Sequence, residues 1–175
     1  ADSQDITKSC INLQPGADVY VYGNTLHEGQ LTVGPLVNQQ GVTQNVVIDS
    51  NTTFDSLVNI IAGAQDVMVR NNVIHADDNI GIRVGNYDAN NNRLVINLAI
   101  VGNTGINNGL HSNFIHVDGK TQGLTIDRNL YVAPNLETGG WDTAPLYINY
   151  NDLSGVTEIE GNVWPVPAKI DDYAQ

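Results

Sequence analysis

Two adjacent carboxylates, Asp77 and Asp78, stand directly before an apolar alternating run in the segment DDNIGIRVG, residues 77–85. When two such groups are held close together, one can keep its proton at a pH at which the other is ionised. A pair of this kind can supply both an acid and a base. Asp side chains also suit turns, because they accept hydrogen bonds from the backbone around them. The sequence leaves both interpretations open.

A second set of candidates follows from the alternation of side chains in the runs IGIRVG, FIHVDG and LYINYN. Their apolar residues predict an inward face, and the polar residues between them, Arg83, His116 and Asn149, then point outward. Equivalent residues of neighbouring parallel strands lie about 4.8 Å apart. We therefore expect these three side chains to form one outward column. A ladder of solvated polar residues is the alternative interpretation.

Aromatic residues accompany the two longest stretches between the runs, NYDANNNRL (86–94) and APNLETGGWDTAPL (133–146). Trp141 lies in the second stretch, and Tyr131 and Tyr147 flank it. Segments that leave a regular scaffold often carry binding residues, and aromatic rings offer flat apolar faces with a polar edge. We expect the three aromatic residues to line a groove and stack on sugar rings.

A repeated unit must position all of these residues. Segments such as VYVYGNTL (19–26) and LTIDRNLYV (124–132) share a frame: an alternating β-type run, two polar or small residues, an Asn and a second apolar run. Six asparagines occupy this position: Asn24, Asn51, Asn72, Asn103, Asn129 and Asn162. At a bend, Asn can take a positive φ and can bond through its side chain. The pattern predicts a solenoid in which these amides stack.

The repeat resembles that of right-handed parallel β-helix proteins, the pectate-lyase-like group, over residues 17–164. The resemblance implies an all-β, right-handed parallel β-helix solenoid of about six coils with an Asn ladder. Residues 1–16 are expected to form a partial coil or an irregular cap. Residues 165–175 contain two prolines, and we expect them to leave the sheet. The chain is expected to be one domain, or a fragment of a longer chain, with a capping chain or domain over its first coil.

The segment DDNIGIRVG also resembles the D-D-x-I-x-I-x-x-G segment of polygalacturonases, the β-helix glycoside hydrolases. The resemblance implies that Asp77 and Asp78 protonate the leaving group and activate water. NTTFD (51–55) stands in the place of that family's N-T-D element, with Thr at the position of the acid. GLHS, which contains His111, lies near the place of the G-H-G element, and the basic R-I-K motif is absent. These departures allow a protein that binds a polysaccharide without cleaving it.

A resemblance to β-helix lyases indicates a second chemistry. In those enzymes a base removes the proton from the carbon next to a uronate carboxylate. An Arg or a Ca²⁺ ion neutralises that carboxylate. This resemblance implies that His116 is the base and that Arg83 contacts the substrate. Three acids share another predicted outward column, which Arg and Val interrupt: Asp49, Asp127 and Glu160. Stacked acids supply oxygen atoms, and Ca²⁺ takes about six to eight oxygen ligands. Ca²⁺ is therefore the one metal ion that the sequence indicates, and no other cofactor is predicted.

The charge balance limits the classes of molecule that the protein can bind. Nineteen acidic residues against seven basic ones give a formal net charge of −12. Such a surface repels nucleic acids and anionic membranes, and no run approaches the roughly 18 apolar residues of a membrane span. Cys10 is the only cysteine, which excludes an internal disulfide and a Cys-based zinc site. The composition is typical of a secreted or cell-surface protein.

These observations lead to one functional prediction and one alternative. We predict a secreted or surface β-helix protein that binds or cleaves a polysaccharide, as a glycoside hydrolase or a lyase would. The alternative is non-catalytic: a β-helical segment of a phage tail fibre, an adhesin or a larger enzyme that serves as a spacer or an assembly surface. Many functions share this scaffold, so the fold does not choose between them.

Overall fold

The computed structural model describes residues 9–35, 40–77, 79–85, 93–137, 141–149 and 156–170. Within these ranges the chain forms short β-strands joined by turns and by one 3₁₀ helix, Trp141–Thr143. The strand pairs formed there are all parallel. The fold is an all-β parallel β-helix, as the repeat predicts. No helix of the described ranges is long and apolar enough to cross a membrane.

The strands form three sheets. Sheet A contains, in spatial order, β1 (Ser9–Leu13), β4 (Gln30–Val33), β7 (Leu57–Ile60), β10 (Ile82–Val84), β13 (Ile115–Val117), β16 (Leu146–Ile148) and β18 (Lys169–Ile170). Sheet B contains β2 (Gly16–Tyr22), β5 (Thr43–Asp49), β8 (Ala64–Arg70), β11 (Val95–Val101), β14 (Thr121–Asp127) and β17 (Val156–Glu160). Sheet C contains β3 (Thr25–His27), β6 (Thr52–Phe54), β9 (Val73–His75), β12 (Thr104–Ile106) and β15 (Leu130–Val132).

Each coil runs from sheet B through sheet C to sheet A, and we number the coils 1 to 6 from β2, β5, β8, β11, β14 and β17. Alternation along the strands sends apolar side chains into one continuous core between the sheets. Val46 and Ile48 of β5, and Leu124 and Ile126 of β14, are fully buried there. Because each buried aliphatic side chain contributes about 1.5–3 kcal/mol, this core is the main favourable term in folding.

Six asparagines stack at the bend between sheets B and C and form the predicted ladder. The side-chain Nδ2 of each of the first five donates to the Oδ1 of the next, over 2.9–3.0 Å. That Oδ1 also accepts the backbone N–H of the asparagine that precedes it in the ladder. In the interior, Asn103 Nδ2 additionally donates to the Val69 carbonyl at 2.9 Å. The buried amides therefore use both their donors and their acceptor, which fixes the register of every coil.

The residue before each ladder asparagine takes the left-handed conformation, with φ between 51° and 66°: Gly23, Ser50, Asn71, Gly102, Arg128 and Gly161. The sequence pattern suggested that the ladder asparagine itself could provide both the positive φ and the side-chain bond. The two tasks are instead divided between neighbours. This division leaves the ladder residue in an ordinary backbone conformation and frees its amide to face the next coil.

Sheet B contains a second stacked bend that the repeat frame did not reveal. The third residue of each of its first five strands has a positive φ: Asp18, Asn45, Asp66, Asn97 and Gly123. Asn45 Nδ2 donates to Asp18 Oδ1 at 3.0 Å, and Asn97 Nδ2 donates to Asp66 Oδ1 at 2.9 Å. Asp, Asn and Gly tolerate this conformation better than other residues, so the polar residue inside each β-run has a structural reason.

The two ends of the solenoid differ from expectation in one respect. β1 pairs in parallel with β4, which confirms that SCINL belongs to a coil before the first. At the other end, the expectation that residues 165–175 leave the sheet is wrong for 169–170, which form β18 beside β16. Pro165 and Pro167 lie in the turn before β18, where their missing N–H groups interrupt no ladder. Residues 171–175 lie outside the described part of the chain.

Replacing Asn103 by Leu should lower the free energy of unfolding by roughly 3 kcal/mol or more. The change removes the acceptor of the Asn72 backbone N–H and of one Asn72 Nδ2 hydrogen; Asn129 Oδ1 loses one of its two donors but keeps the backbone N–H of residue 103. Each buried donor left without a partner costs about 1–3 kcal/mol. Urea unfolding measures the loss. Asn24→Ala is the control, because Asn24 is a half-buried end rung that bonds to one neighbouring rung. Equal losses at the two positions would contradict the ladder as the source of stability.

Candidate functional site

One residue of each strand in sheet A points away from the core, and these residues are stacked in register. From the N-terminal end they are Asn12, Thr32, Asn59, Arg83, His116, Tyr147 and Lys169. We call this set the sheet A column. Its register confirms that Arg83 and His116 are outward neighbours. The prediction that Asn149 is the third member of this column is wrong. Tyr147 of β16 pairs with His116, and Asn149 follows the strand.

Four of the seven residues of the sheet A column are buried although they face away from the core, whereas Asn12 is exposed and Arg83 and Lys169 are partly exposed. Thr32 is 1% exposed, Asn59 2%, His116 6% and Tyr147 7%. The outward residues of sheet B are less uniformly buried, since Tyr20 and Tyr22 are 57% and 60% exposed whereas Asp49 is 5% exposed. An outward sheet face that combines burial with ionisable side chains is unusual, because burying a polar group without partners costs free energy. The column is therefore the strongest candidate for a functional site.

Arg83 and Asp118 form the electrostatic centre of the column. Asp118 directly follows β13, and its Oδ2 accepts bonds from Arg83 Nε at 2.8 Å and Nη2 at 2.6 Å. The two side chains are only 18% and 14% exposed, so the ion pair is largely desolvated. Both bonds converge on one oxygen, and the buried Oδ1 has no hydrogen-bond partner within the described ranges. Asp118 thus neutralises Arg83 and keeps one acceptor available.

His116 lies between this ion pair and Tyr147. Burial lowers the pKa of His116, Asp118 opposes that shift, and Arg83 adds to it. The net direction is downward, so the imidazole is neutral at neutral pH. Its ring meets the Tyr147 ring edge to face at 5.1 Å, and Lys169 Nζ lies 5.9 Å from the centre of that ring. A neutral imidazole can accept a proton, and two cations nearby can stabilise an anion.

Four buried oxygen atoms at or beside the column have no hydrogen-bond partner in the described part of the chain: Thr32 Oγ1, Asn59 Oδ1, Asp118 Oδ1 and Asn149 Oδ1. Buried polar atoms in folded proteins are nearly always bonded, and exceptions point to a missing water, ion or ligand. All four atoms can accept a hydrogen bond. The arrangement is therefore suited to a molecule rich in hydroxyl donors.

The predicted acid pair lies elsewhere. Asp77 is exposed, and its Oδ1 accepts the backbone N–H of Asn108, one coil further on, at 2.8 Å. Both of its oxygens also lie 3.4 Å from Asn108 Nδ2. Asp77 therefore ties two coils together at a turn, in agreement with the turn interpretation of its sequence position. Asp78 lies outside the described residues.

His111 is half exposed and is not in the sheet A column. Its Nε2 lies 3.9 Å from Glu137 Oε2, and its Nδ1 lies 3.8 Å from Asp142 Oδ2. Two exposed carboxylates thus flank the imidazole at distances longer than hydrogen bonds. Among the described residues, no group of three or more His, Cys, Asp and Glu side chains is placed to hold a metal ion.

Of the three aromatic candidates, Tyr131 and Tyr147 lie in different sheets, C and A. Tyr147 belongs to the sheet A column, and Trp141 begins the 3₁₀ helix. The prediction that the Tyr131 ring lines a groove is wrong. Tyr131 points into the core and stacks on Phe114, with ring centres 5.4 Å apart. Gly105, beside Tyr131 in sheet C, makes room for the Phe114 ring, which a Cβ there would overlap. Burial raises the pKa of Tyr131.

The acids of sheet B lie in the predicted outward register: Tyr22, Asp49, Arg70, Val101, Asp127 and Glu160 are consecutive partners. Protein donors already occupy Asp49. Burial by itself would raise its pKa, but hydrogen bonds from Ser50, Tyr20, Asn71 and Arg70 lower the pKa to about 2. Asp127 accepts a bond from Arg128 Nε at 2.6 Å.

Sequence reasoning gave no site role to five of these residues: Asn12, Thr32, Asn59, Asp118 and Lys169. Asp118 and Lys169 were overlooked because Asp118 lies just beyond its strand and Lys169 lies between two prolines and the C-terminus. Thr32 and Asn59 fall at the same strand position as Arg83 and His116, so the alternation alone could have placed them. Their burial could not have been read from the sequence, because it depends on which residues cover sheet A.

Comparison with known proteins adds no relative. No protein-family model, no curated protein and no solved structure matches this chain at a significant level. The assignment to a parallel β-helix therefore stands on the strand pairing itself.

Replacing Asp49 by Asn should remove part of the protein's loss of stability in acid. The folded pKa of about 2 lies below the ordinary value of 3.8, so ionised Asp49 favours the folded state. That stabilisation is complete above about pH 3.8 and is lost as the pH falls through about 2. The variant should be less stable at pH 5, with a flatter stability profile between pH 4 and 2. Glu160→Gln, an exposed position in the same column, is the control for urea unfolding across this range.

Proposed function

We propose that this chain is a secreted or cell-surface β-helix protein that binds a polysaccharide along the outward face of sheet A. The sheet A column is the observation that carries the proposal. It combines unpartnered buried acceptors with basic side chains, in a protein whose formal net charge is −12. Acceptors suit sugar hydroxyls, and Lys169 suits an acidic substituent, which Arg83 can also bind when it exchanges part of its pairing with Asp118.

The regular spacing of the column supports a chain-like ligand. Consecutive members are register partners in adjacent parallel strands, so they repeat at about 4.8 Å along the solenoid axis. A polymer that follows the axis meets one further outward side chain in each coil. A compact ligand would leave most of the column unused. To bind at this face, the sugar must also displace the groups that cover the buried side chains and make contacts with those side chains in their place.

The competing interpretation is a spacer or an assembly module. Such a module needs a solvated exterior and a well-packed core, and neither requires ionisable side chains buried on the outside of a sheet. The unpartnered oxygens of Thr32 and Asn59 favour a binding role over a purely structural one, because an apolar pair would serve a spacer better.

Lyase-type cleavage is the second candidate, and the environment of His116 favours it. The lowered pKa of His116 keeps the imidazole ready to take the proton from the carbon next to a uronate carboxylate. The electron pair of that C–H bond forms a C=C bond while the C–O bond to the next sugar breaks. The leaving oxygen then takes a proton from solvent, and Arg83 and Lys169 stabilise the carboxylate.

The secreted location and a partner at the first coil belong to the same proposal. The acidic composition, with few Lys and many Asn residues, supports an extracellular setting. Strand β2 pairs only with β5 within the described residues, and β3 only with β6. Open strand edges attract further strands, so a capping chain or domain would protect coil 1.

Binding should depend on Arg83. Arg83→Gln removes a column cation, and we expect its affinity for a uronate-containing oligosaccharide to fall about tenfold or more. Arg70→Gln is the matched control, because Arg70 pairs with Asp49 on sheet B, away from the column. Calorimetry on oligosaccharides selected from a glycan array measures both variants. If the wild-type protein binds no glycan, or if both variants lose affinity equally, the proposal fails.

Turnover should depend on His116. If the protein is a lyase, His116→Gln abolishes the ultraviolet absorbance of the unsaturated product while binding remains within about tenfold of wild type. The rate should rise with pH through a value below the ordinary pKa of 6.5, because only the neutral imidazole accepts the proton. Binding without any turnover in the wild-type protein would exclude cleavage and leave polysaccharide binding in place.

A further inference from the structure

The sheet A column is divided into two chemically different halves. Coils 1 and 2 contribute neutral residues, Thr32 and Asn59, and Asn12 precedes them in register. Coils 3 to 6 contribute Arg83, His116, Tyr147 and Lys169, with Asp118 beside them. Neutral polar groups bind hydroxyls and amides, whereas the second half provides charges. A ligand that crosses both halves therefore meets two kinds of recognition.

The neutral half contains buried oxygen atoms that can accept hydrogen bonds from a ligand. Thr32 and Asn59 are direct register partners, and both are at least 98% buried. Thr32 Oγ1 and Asn59 Oδ1 have no hydrogen-bond partner among the described residues. The ladder asparagines show that this chain satisfies buried amides where structure alone requires them. The unpartnered Thr32 Oγ1 and Asn59 Oδ1 therefore need a different explanation.

We propose that Thr32 and Asn59 form a subsite for the hydroxyl groups of a neutral sugar, next to the charged subsite around Arg83. The ligand is then a polysaccharide that contains both neutral and acidic sugars, with its neutral part over coils 1 and 2. This inference rests on the proposed function, since it assigns the sugar class to the same face. It further requires that both residues favour binding at the expense of the stability of the unliganded protein.

Two isosteric variants, Asn59→Leu and Thr32→Val, test the proposal. Each removes an unpartnered buried group, so each should raise the melting temperature of the unliganded protein by a few degrees. Calorimetry then compares three oligosaccharides of equal length, made of neutral hexoses only, of hexuronates only, or of both. We expect both variants to lose about tenfold or more in affinity for the mixed oligosaccharide, and about twofold or less for the all-uronate one.

The outcomes separate this inference from the proposed function. If the variants are more stable but bind all three oligosaccharides as the wild type does, the neutral subsite is wrong and polysaccharide binding stands. If both variants melt at lower temperature, Thr32 and Asn59 have a structural role, such as holding internal water, and the subsite is again wrong. If the wild-type protein prefers the all-uronate oligosaccharide to the mixed one, the two-part ligand is overturned. If it binds none of the three, the proposed function fails, and the subsite with it.

Discussion

The stacking of asparagine amides between coils is the constraint on which the rest of the structure depends. A β-strand can slip along its neighbour, and a slip of one residue turns every side chain to the opposite face. The ladder prevents such slips, because each buried amide must meet the next at one position to satisfy its donors and acceptor. Val46, Val67 and Leu98 then fall in line inside sheet B. The core and the outward columns are consequences of this register.

Register also explains why polar residues far apart in the chain act together. Arg83 and Asp118 are 35 residues apart, yet they form a largely desolvated ion pair because consecutive coils place β10 beside β13. Arg70 reaches Asp49 in the same way on sheet B. On sheet B the result is a half-exposed cation beside a buried, fully bonded carboxylate. On sheet A it is a buried set that retains unused acceptors, and this difference distinguishes a site from a structural contact.

The sequence was sufficient for features that follow from periodicity. The ladder positions, the inward residues and the neighbourhood of Arg83 and His116 could be predicted, because each depends only on counting along the repeat. Tyr131 could not be placed correctly: whether an aromatic ring enters the core depends on the volume that Gly105 leaves open for Phe114. The burial of Asn59 is likewise invisible in the sequence, since alternation along a strand predicts the direction of a side chain and not what covers it. Lys169 was missed because nearby prolines indicated an end to the sheet, whereas they occupy only the turn.

The amides of the ladder all point in the same direction along the solenoid axis. In each bond between rungs, Nδ2 donates to the Oδ1 of the next coil towards the C-terminus, so the described ladder begins with the carbonyl oxygen of Asn24 and finishes with the amide nitrogen of Asn162. Aligned bonds polarise one another, and the dipoles of the six amides add up rather than cancel. The solenoid consequently has two electrically unlike ends. Any strand-bearing partner that continues the ladder must match this polarity, so two copies could extend it only head to tail, and never through a two-fold axis.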